Sequence, residues 1–123
     1  MTPTQRTLAY LRKQGMQVGI LEHWNPHVPP HGIRQDLWGF GDLLCTRTVN
    51  ASDEYATFFI VQCTSGANHS ARRLKILGIP EARVWVENGG GILILSWAKR
   101  GERGNVKRWT AREEWIRAED FQR

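Results

Sequence analysis

The chain has 123 residues, enough for one domain with its own core. A hydrophobic content of 41% and six tryptophans exclude a disordered polar chain, and no apolar run approaches the ~20 residues of a membrane span. The formal net charge of +5 favours an anionic partner, nucleic acid foremost, with basic residues clustered as Arg72-Arg73-Lys75 and from Lys99 to Arg108.

The first element expected is a helix. Thr2 can cap it, Pro3 suits its first position, Gln5 completes a capping box, Leu8 and Leu11 form the buried stripe, and Gly15 ends it. Thr4 to Gln14 is too polar for a secretory leader, so a cytoplasmic location is expected. Gln17 to Glu22 reads as a strand with an acidic last residue. Trp24 to Gly32 holds Pro26, Pro29 and Pro30 and reads as loop. Phe40 to Thr46 is a second strand, Asn50 to Asp53 a turn, and Tyr55 to Thr64 a third strand. A helix starting at Asn68 or Ser70 runs through Leu77, with Ala71, Leu74 and Leu77 inward and Gly78 and Pro80 as stop signals.

Ala82 to Val86 reads as a strand, Asn88 to Gly91 as a tight turn, and Ile92 to Trp97 as its antiparallel partner. Lys99 to Lys107 is a polar loop. A second capping box, Thr110-Ala111-Arg112-Glu113, opens a short final helix. The expected order is α-β-β-β-α-β-β-α. It predicts a single α/β domain over 1–123, a mixed sheet flanked by helices.

Chemistry concentrates at the ends of two strands. Asp42 opens the second, and Gln62 and Thr64, two apart at the end of the third, share a face. A pairing of these strands brings Asp42 beside them and gathers oxygen ligands for a hard divalent cation, Mg²⁺ or Mn²⁺. The Cys63 carbonyl is a further candidate ligand, and Glu22 adds a second carboxylate. Asp36 competes with Asp42 for the ion, although a loop ion pair with Arg34 accounts for it equally well.

Each of these residues has a plainer reading: a strand-end aspartate, a backbone-satisfied amide, and a Thr64-Ser65-Gly66 helix cap. Cys45 and Cys63 are expected to be buried thiols facing away from the site, since two cysteines make no disulfide framework. His23, His27 and His31 recur every four residues, but the prolines among them forbid a regular helix and with it a zinc face. His69 follows the third strand closely and can serve as a base near neutral pH, or lie on the surface at a helix start. Arg72, Arg73 and Lys75 can hold phosphates or form a solvated helix face. Trp24 and Trp38 can stack on unpaired bases or anchor the loop.

This order of elements, with Asp42 opening the second strand and Gln62-Cys63-Thr64 closing the third, resembles the PD-(D/E)XK nuclease superfamily. It is most similar to small Holliday-junction-resolvase-like and phage-type members, from the first helix to about Trp97. The resemblance implies a restriction-endonuclease-like αβββαβ core. Asp42 then stands at the metal-binding aspartate, Gln62 at the glutamate position and Thr64 at the lysine position, with Glu22 matching an extra acidic ligand of some members. Glutamine keeps a carbonyl oxygen for the metal, whereas threonine does not replace lysine, so His69 or Lys75 would take over its work.

A DNA endonuclease is implied, using Mg²⁺ or Mn²⁺ and acting on branched DNA as a homodimer, with Arg34, Arg72, Arg73 and Lys75 toward the DNA. The alternatives are a non-catalytic nucleic-acid-binding module on the same fold and a protein-interaction domain of a phage or mobile element.

Overall fold

A computed structural model describes residues 1–47 and 57–121. The first helix, α1 (Pro3–Lys13), forms as its sequence signals demand. Thr2 Oγ1 accepts from the Gln5 amide at 3.1 Å, and the Gln5 side chain accepts from the Thr2 amide at 2.9 Å. The strands follow as β1 (Gln17–Ile20), β2 (His23–Asn25), β3 (Ile33–Gln35), β4 (Leu43–Thr46) and β5 (Phe58–Ser65). Two consecutive helices come next, α2 (His69–Leu77) and α3 (Pro80–Glu87), then β6 (Gly91–Arg100) and β7 (Arg108–Ile116).

The main sheet has five strands in the order β1-β4-β5-β6-β7. The β1–β4, β4–β5 and β6–β7 pairs are antiparallel, and β5–β6 is parallel. The parallel pair needs a crossover, which α2 and α3 supply. This is the mixed sheet with flanking helices that the sequence predicts. Apart from the small β2–β3 hairpin and the added α3, the elements through β6 run α-β-β-β-α-β.

Alternation along β5 builds two cores. Phe59, Val61 and Cys63 face α1 and pack with Leu11, Leu43, Cys45, Leu93, Leu95 and Trp97. Ile60 faces α2 and α3 and packs with Phe40, Ile76, Ala82, Ile92, Ile94, Ile116 and Phe121. Each such aliphatic side chain contributes about 1.5–3 kcal/mol when fully buried. Gln62 and Thr64 continue the Ile60 face to the end of β5, so the second core becomes polar there. Cys45 and Cys63 lie on the opposite face, as expected, and burial pushes their thiols up to about 11 and about 12.

Three segments differ from the sequence expectation. Residues 82–86 are helical: Pro80 occupies the first turn of α3, and Ala82, Trp85 and Val86 repeat at helical spacing toward the core. The glycines that follow close this helix and do not turn a hairpin. Gly89 has φ +96, and the Trp85 ring lies so close over Gly90 that no Cβ fits; its Nε1–H donates to the Gly91 carbonyl at 2.7 Å. Residues 110–116 form strand β7 and not a helix, because the open edge of β6 and the β-forming Trp109, Thr110, Trp115 and Ile116 outweigh a local capping box.

The third segment is Trp24 to Gly32. Its prolines do sit in a loop, but the ends belong to the β2–β3 hairpin, with Trp24 opposite Arg34. The helix after β5 also turns a different side inward. His69 and Ile76 are buried, while Ala71 is exposed and Leu74 is 70% exposed. The expected turn at Asn50–Asp53 and the start of the third strand at Tyr55 lie outside the described residues. No helix among the described residues is long and apolar enough to cross a membrane.

Candidate metal centre

Three pieces of chain meet where β4 begins and β5 ends. The first is a tight turn at Leu37–Gly41. Gly41 N–H donates to the Leu37 carbonyl at 2.8 Å, and Leu37 N–H donates to the Gly41 carbonyl at 2.9 Å. Trp38 (φ +56) and Gly39 (φ +86) both take the left-handed conformation, at a cost of roughly 1–2 kcal/mol for the non-glycine. With Leu37 and Gly41 paired, Asp36 and Asp42 are the next residues to face each other across the neck of the turn. Leu21 N–H donates to the Asp42 carbonyl at 2.9 Å, which brings in the second piece, the end of β1 with Glu22.

The third piece is Gln62–Thr64. One carboxylate oxygen of Asp42, Oδ2, accepts from the Cys63 amide at 2.8 Å and from Gln62 Nε2 at 2.9 Å. Gln62 Nε2 also donates to the Cys63 carbonyl at 3.3 Å. That leaves Gln62 Oε1 buried with no partner, the one such side-chain atom among the described residues. An orphaned buried acceptor costs about 1–3 kcal/mol.

Asp42 is held far from its ordinary ionisation. Burial, a side-chain hydrogen bond with Glu22, and the charges of Glu22 and Asp36 push its carboxyl up to about 8, against the opposing pull of the Cys63 amide. Two carboxyl groups in hydrogen-bond reach share a proton unless a cation replaces it.

Among the described residues no three His, Cys, Asp or Glu side chains converge into a ligand set. A metal here would have to be held by the carboxylates of Asp42 and Glu22, the unpartnered Oε1 of Gln62 and the Cys63 carbonyl. That all-oxygen set suits Mg²⁺ or Mn²⁺. The orphaned oxygen of Gln62 and the raised carboxyl of Asp42 beside Glu22 both fit an ion at this point. Beside Glu22 opens a cleft of about 380 Å³, lined also by Arg34, Ile20 and the first turn of α1.

The remaining candidates divide sharply. Arg34 is 64% exposed and approaches Glu22 at 4.0 Å, so its ionic partner is Glu22 and not Asp36. Thr64 is buried beside Gln62, with Ser96 as its β6 partner. His69, expected as a free base or a surface residue, is neither. It is 1% exposed, with Nδ1 2.6 Å from Ser96 Oγ and Nε2 2.8 Å from Glu114 Oε1.

A carboxylate only accepts, so Nε2 carries a proton toward Glu114. Glu114 Oε2 accepts from Arg73 Nε at 2.9 Å, and Arg73 Nη2 reaches Asp120 at 3.3 Å. Arg73 is therefore committed to β7 and the C-terminal turn, and is not free for phosphate. Lys75 is exposed on the solvent side of α2, and Arg72 is half-buried. Trp24 and Trp38 are both exposed, and Trp38 leans toward Trp85 at 6.2 Å.

Sequence reasoning missed Ser96, Glu114 and Asp120. Reading 110–116 as a strand would have placed Glu114 on the Ile116 face and exposed the signal. Compared with protein-family models, with curated proteins and with solved structures, the chain finds no match in any of the three.

Proposed function

We propose that this protein is a metal-dependent DNA endonuclease of the PD-(D/E)XK type, hydrolysing phosphodiester bonds with Mg²⁺ or Mn²⁺. One observation carries the reading. Asp42 lies in hydrogen-bond reach of Glu22, and Gln62, bonded to Asp42 through Nε2, keeps a buried Oε1 with no partner, in a chain whose overall charge is +5. Negative groups gathered against their own repulsion are stabilised by a cation, and a basic surface supplies the anion on which that cation acts.

Asp42 holds one oxygen toward its strand neighbours, Oδ2, pinned by the Cys63 amide and Gln62 Nε2, so its other oxygen is the one that would hold an ion. Glu22 stands between this point and the open cleft. A bound divalent ion would lower the pKa of an attacking water and offset charge growing on the phosphate. Thr64 lines the site as a hydroxyl and carries no charge there. Branched DNA cut by a homodimer remains the substrate proposal, on resemblance alone.

The test is incubation with linear, flapped and four-way DNA, with and without Mn²⁺. Metal-dependent cuts that disappear in Asp42→Asn support the reading, and binding without cuts on every substrate sinks it. The second reading, a DNA-binding module without catalysis, is favoured by a specific observation. Neither basic candidate on α2 is free beside Thr64: His69 is locked between Ser96 and Glu114, and Lys75 faces solvent.

A further inference from the structure

The last pair that β6 makes with β5 is Trp97 with Ser65. From Ala98 onward its partner is β7 alone, through Ala98–Thr110, Lys99–Trp109 and Arg100–Arg108, and the loop 101–107 joins the two strands. Three paired residues at ~3.3 Å each carry this ribbon roughly 10 Å beyond the sheet. It leaves the sheet at the end where β5 delivers Gln62 and Thr64. At its root, Arg100 lies over the Gly66 turn that follows Thr64 and Ser65, where an added Cβ would meet Arg100 Nη2 at 3.8 Å and Ala98 Cβ at 3.0 Å.

Every residue from Lys99 to Thr110 is exposed. Lys99, Arg100, Arg103, Lys107 and Arg108 face one acid, Glu102. None of the five basic residues takes part in an ion pair among the described residues. Arg6 and Lys99 flank the Trp109 ring at 3.7 and 5.5 Å from its centroid, which adds a sixth cation to the same surface. The contrast with Arg73 is direct. That arginine sits on α2, where sequence reasoning placed DNA contact, and its charge is consumed internally.

We propose that the 98–110 ribbon is the duplex-DNA grip of this protein, holding phosphates beside the cut site. A two-stranded ribbon fits the major groove, and unpaired cations gain most where they release counterions from a phosphate backbone. The inference rests on the nucleic-acid partner of the reading above and assigns it a surface. The ribbon binds and orients; it does no chemistry.

The experiment is fluorescence anisotropy of a labelled short DNA duplex across a KCl series, in chelator so that nothing is cut. Wild type is compared with the fourfold variant Arg100→Gln, Arg103→Gln, Lys107→Gln and Arg108→Gln. All four side chains are exposed, and unchanged circular dichroism checks the fold. Affinity at low salt should fall at least ~10-fold, and the slope of log K against log [KCl] should become shallower by up to ~3–4. A control, Arg12→Gln with Lys13→Gln at the far end of α1, should leave both unchanged.

An unaltered slope in the ribbon variant, or an equal loss in the control, overturns the proposal. So does a ribbon that binds acidic phospholipid vesicles and not DNA. Asp42→Asn separates this outcome from that of the nuclease reading. Salt-dependent binding lost with the ribbon, in a protein that never cuts, upholds the grip and sinks the enzyme. Metal-dependent cutting with binding indifferent to the ribbon does the reverse.

Discussion

Two partly buried polar clusters share the α2/α3 face of the sheet, one at β4–β5 and one at β6–β7. In the β6–β7 cluster every group has a partner: Ser96, His69, Glu114, Arg73 and Asp120 form an unbroken chain of hydrogen bonds and ion pairs. In the β4–β5 cluster the accounts do not close. Burial and Glu22 push the Asp42 carboxyl up to about 8, and Gln62 Oε1 has nothing to accept from. Satisfied polar networks hold a fold together, whereas an unsatisfied one needs something from outside. The histidine that looked catalytic belongs to the first kind, and the neutral glutamine to the second.

The sharpest way to break this comparison is Asp42→Asn. It should lower metal-dependent cleavage ~1000-fold or more, since an ion's stabilisation of a transition state is several kcal/mol. The same change should stabilise the metal-free fold. The Asp42 carboxyl binds its proton more tightly folded (about 8) than unfolded (~3.9). That contribution is complete below ~4 and is lost as pH rises through about 8. At pH 8.5 in chelator, wild type should melt a few degrees below the variant, a difference of about 1 kcal/mol or more. Mn²⁺ displaces the same proton, so its apparent affinity should rise with pH up to about 8. A flat melting profile between pH 5 and 9 would show Asp42 to be ordinary.

His69→Ala should act in the opposite sense, costing about 1–3 kcal/mol of stability by leaving Ser96 Oγ without its partner and Glu114 Oε1 with only Arg112, at 3.9 Å. Cleavage per folded molecule should not change. Intact melting with slow cleavage would move His69 into the chemistry.

Gln62→Glu should split by condition. Without metal it turns the Nε2 donor facing Asp42 into a carboxyl oxygen and should destabilise by about 1–3 kcal/mol. With Mn²⁺ the added charge should tighten binding about tenfold, ~1.4 kcal/mol by calorimetric titration. Equal affinities in both proteins would mean that position 62 does not face the ion. The smallest effect is expected from Lys75→Ala, within ~0.5 kcal/mol in stability and without change in rate, because the side chain faces solvent. A ~100-fold slower cut would return it to the site as the missing lysine.

Period-two alternation made Gln62 and Thr64 legible in sequence as a same-face pair, and Glu22 stood out as the acid after a strand. The opposition of Asp36 and Asp42 was harder to see. It depends on the Leu37–Gly41 pairing and on Trp38 accepting a positive φ, which a tryptophan rarely signals. The partners of His69 come from β6 and β7, 27 and 45 residues away, and no local pattern points that far. Helix α3 was hidden because Val84, Trp85 and Val86 favour strands by propensity. Strand β7 was hidden by a capping box that its neighbour β6 overrides.

Both native thiols face the α1-side core, buried and protonated well above neutral pH. Thiolate is the reactive form, so neither should compete for a maleimide in the folded state. Val106, at the ribbon's tip and 78% exposed, is therefore a place where one introduced cysteine could be labelled without removing the other two. A dye there would follow the ribbon's approach to a second dye on a DNA end, and so convert the chemistry of two silent side chains into a ruler.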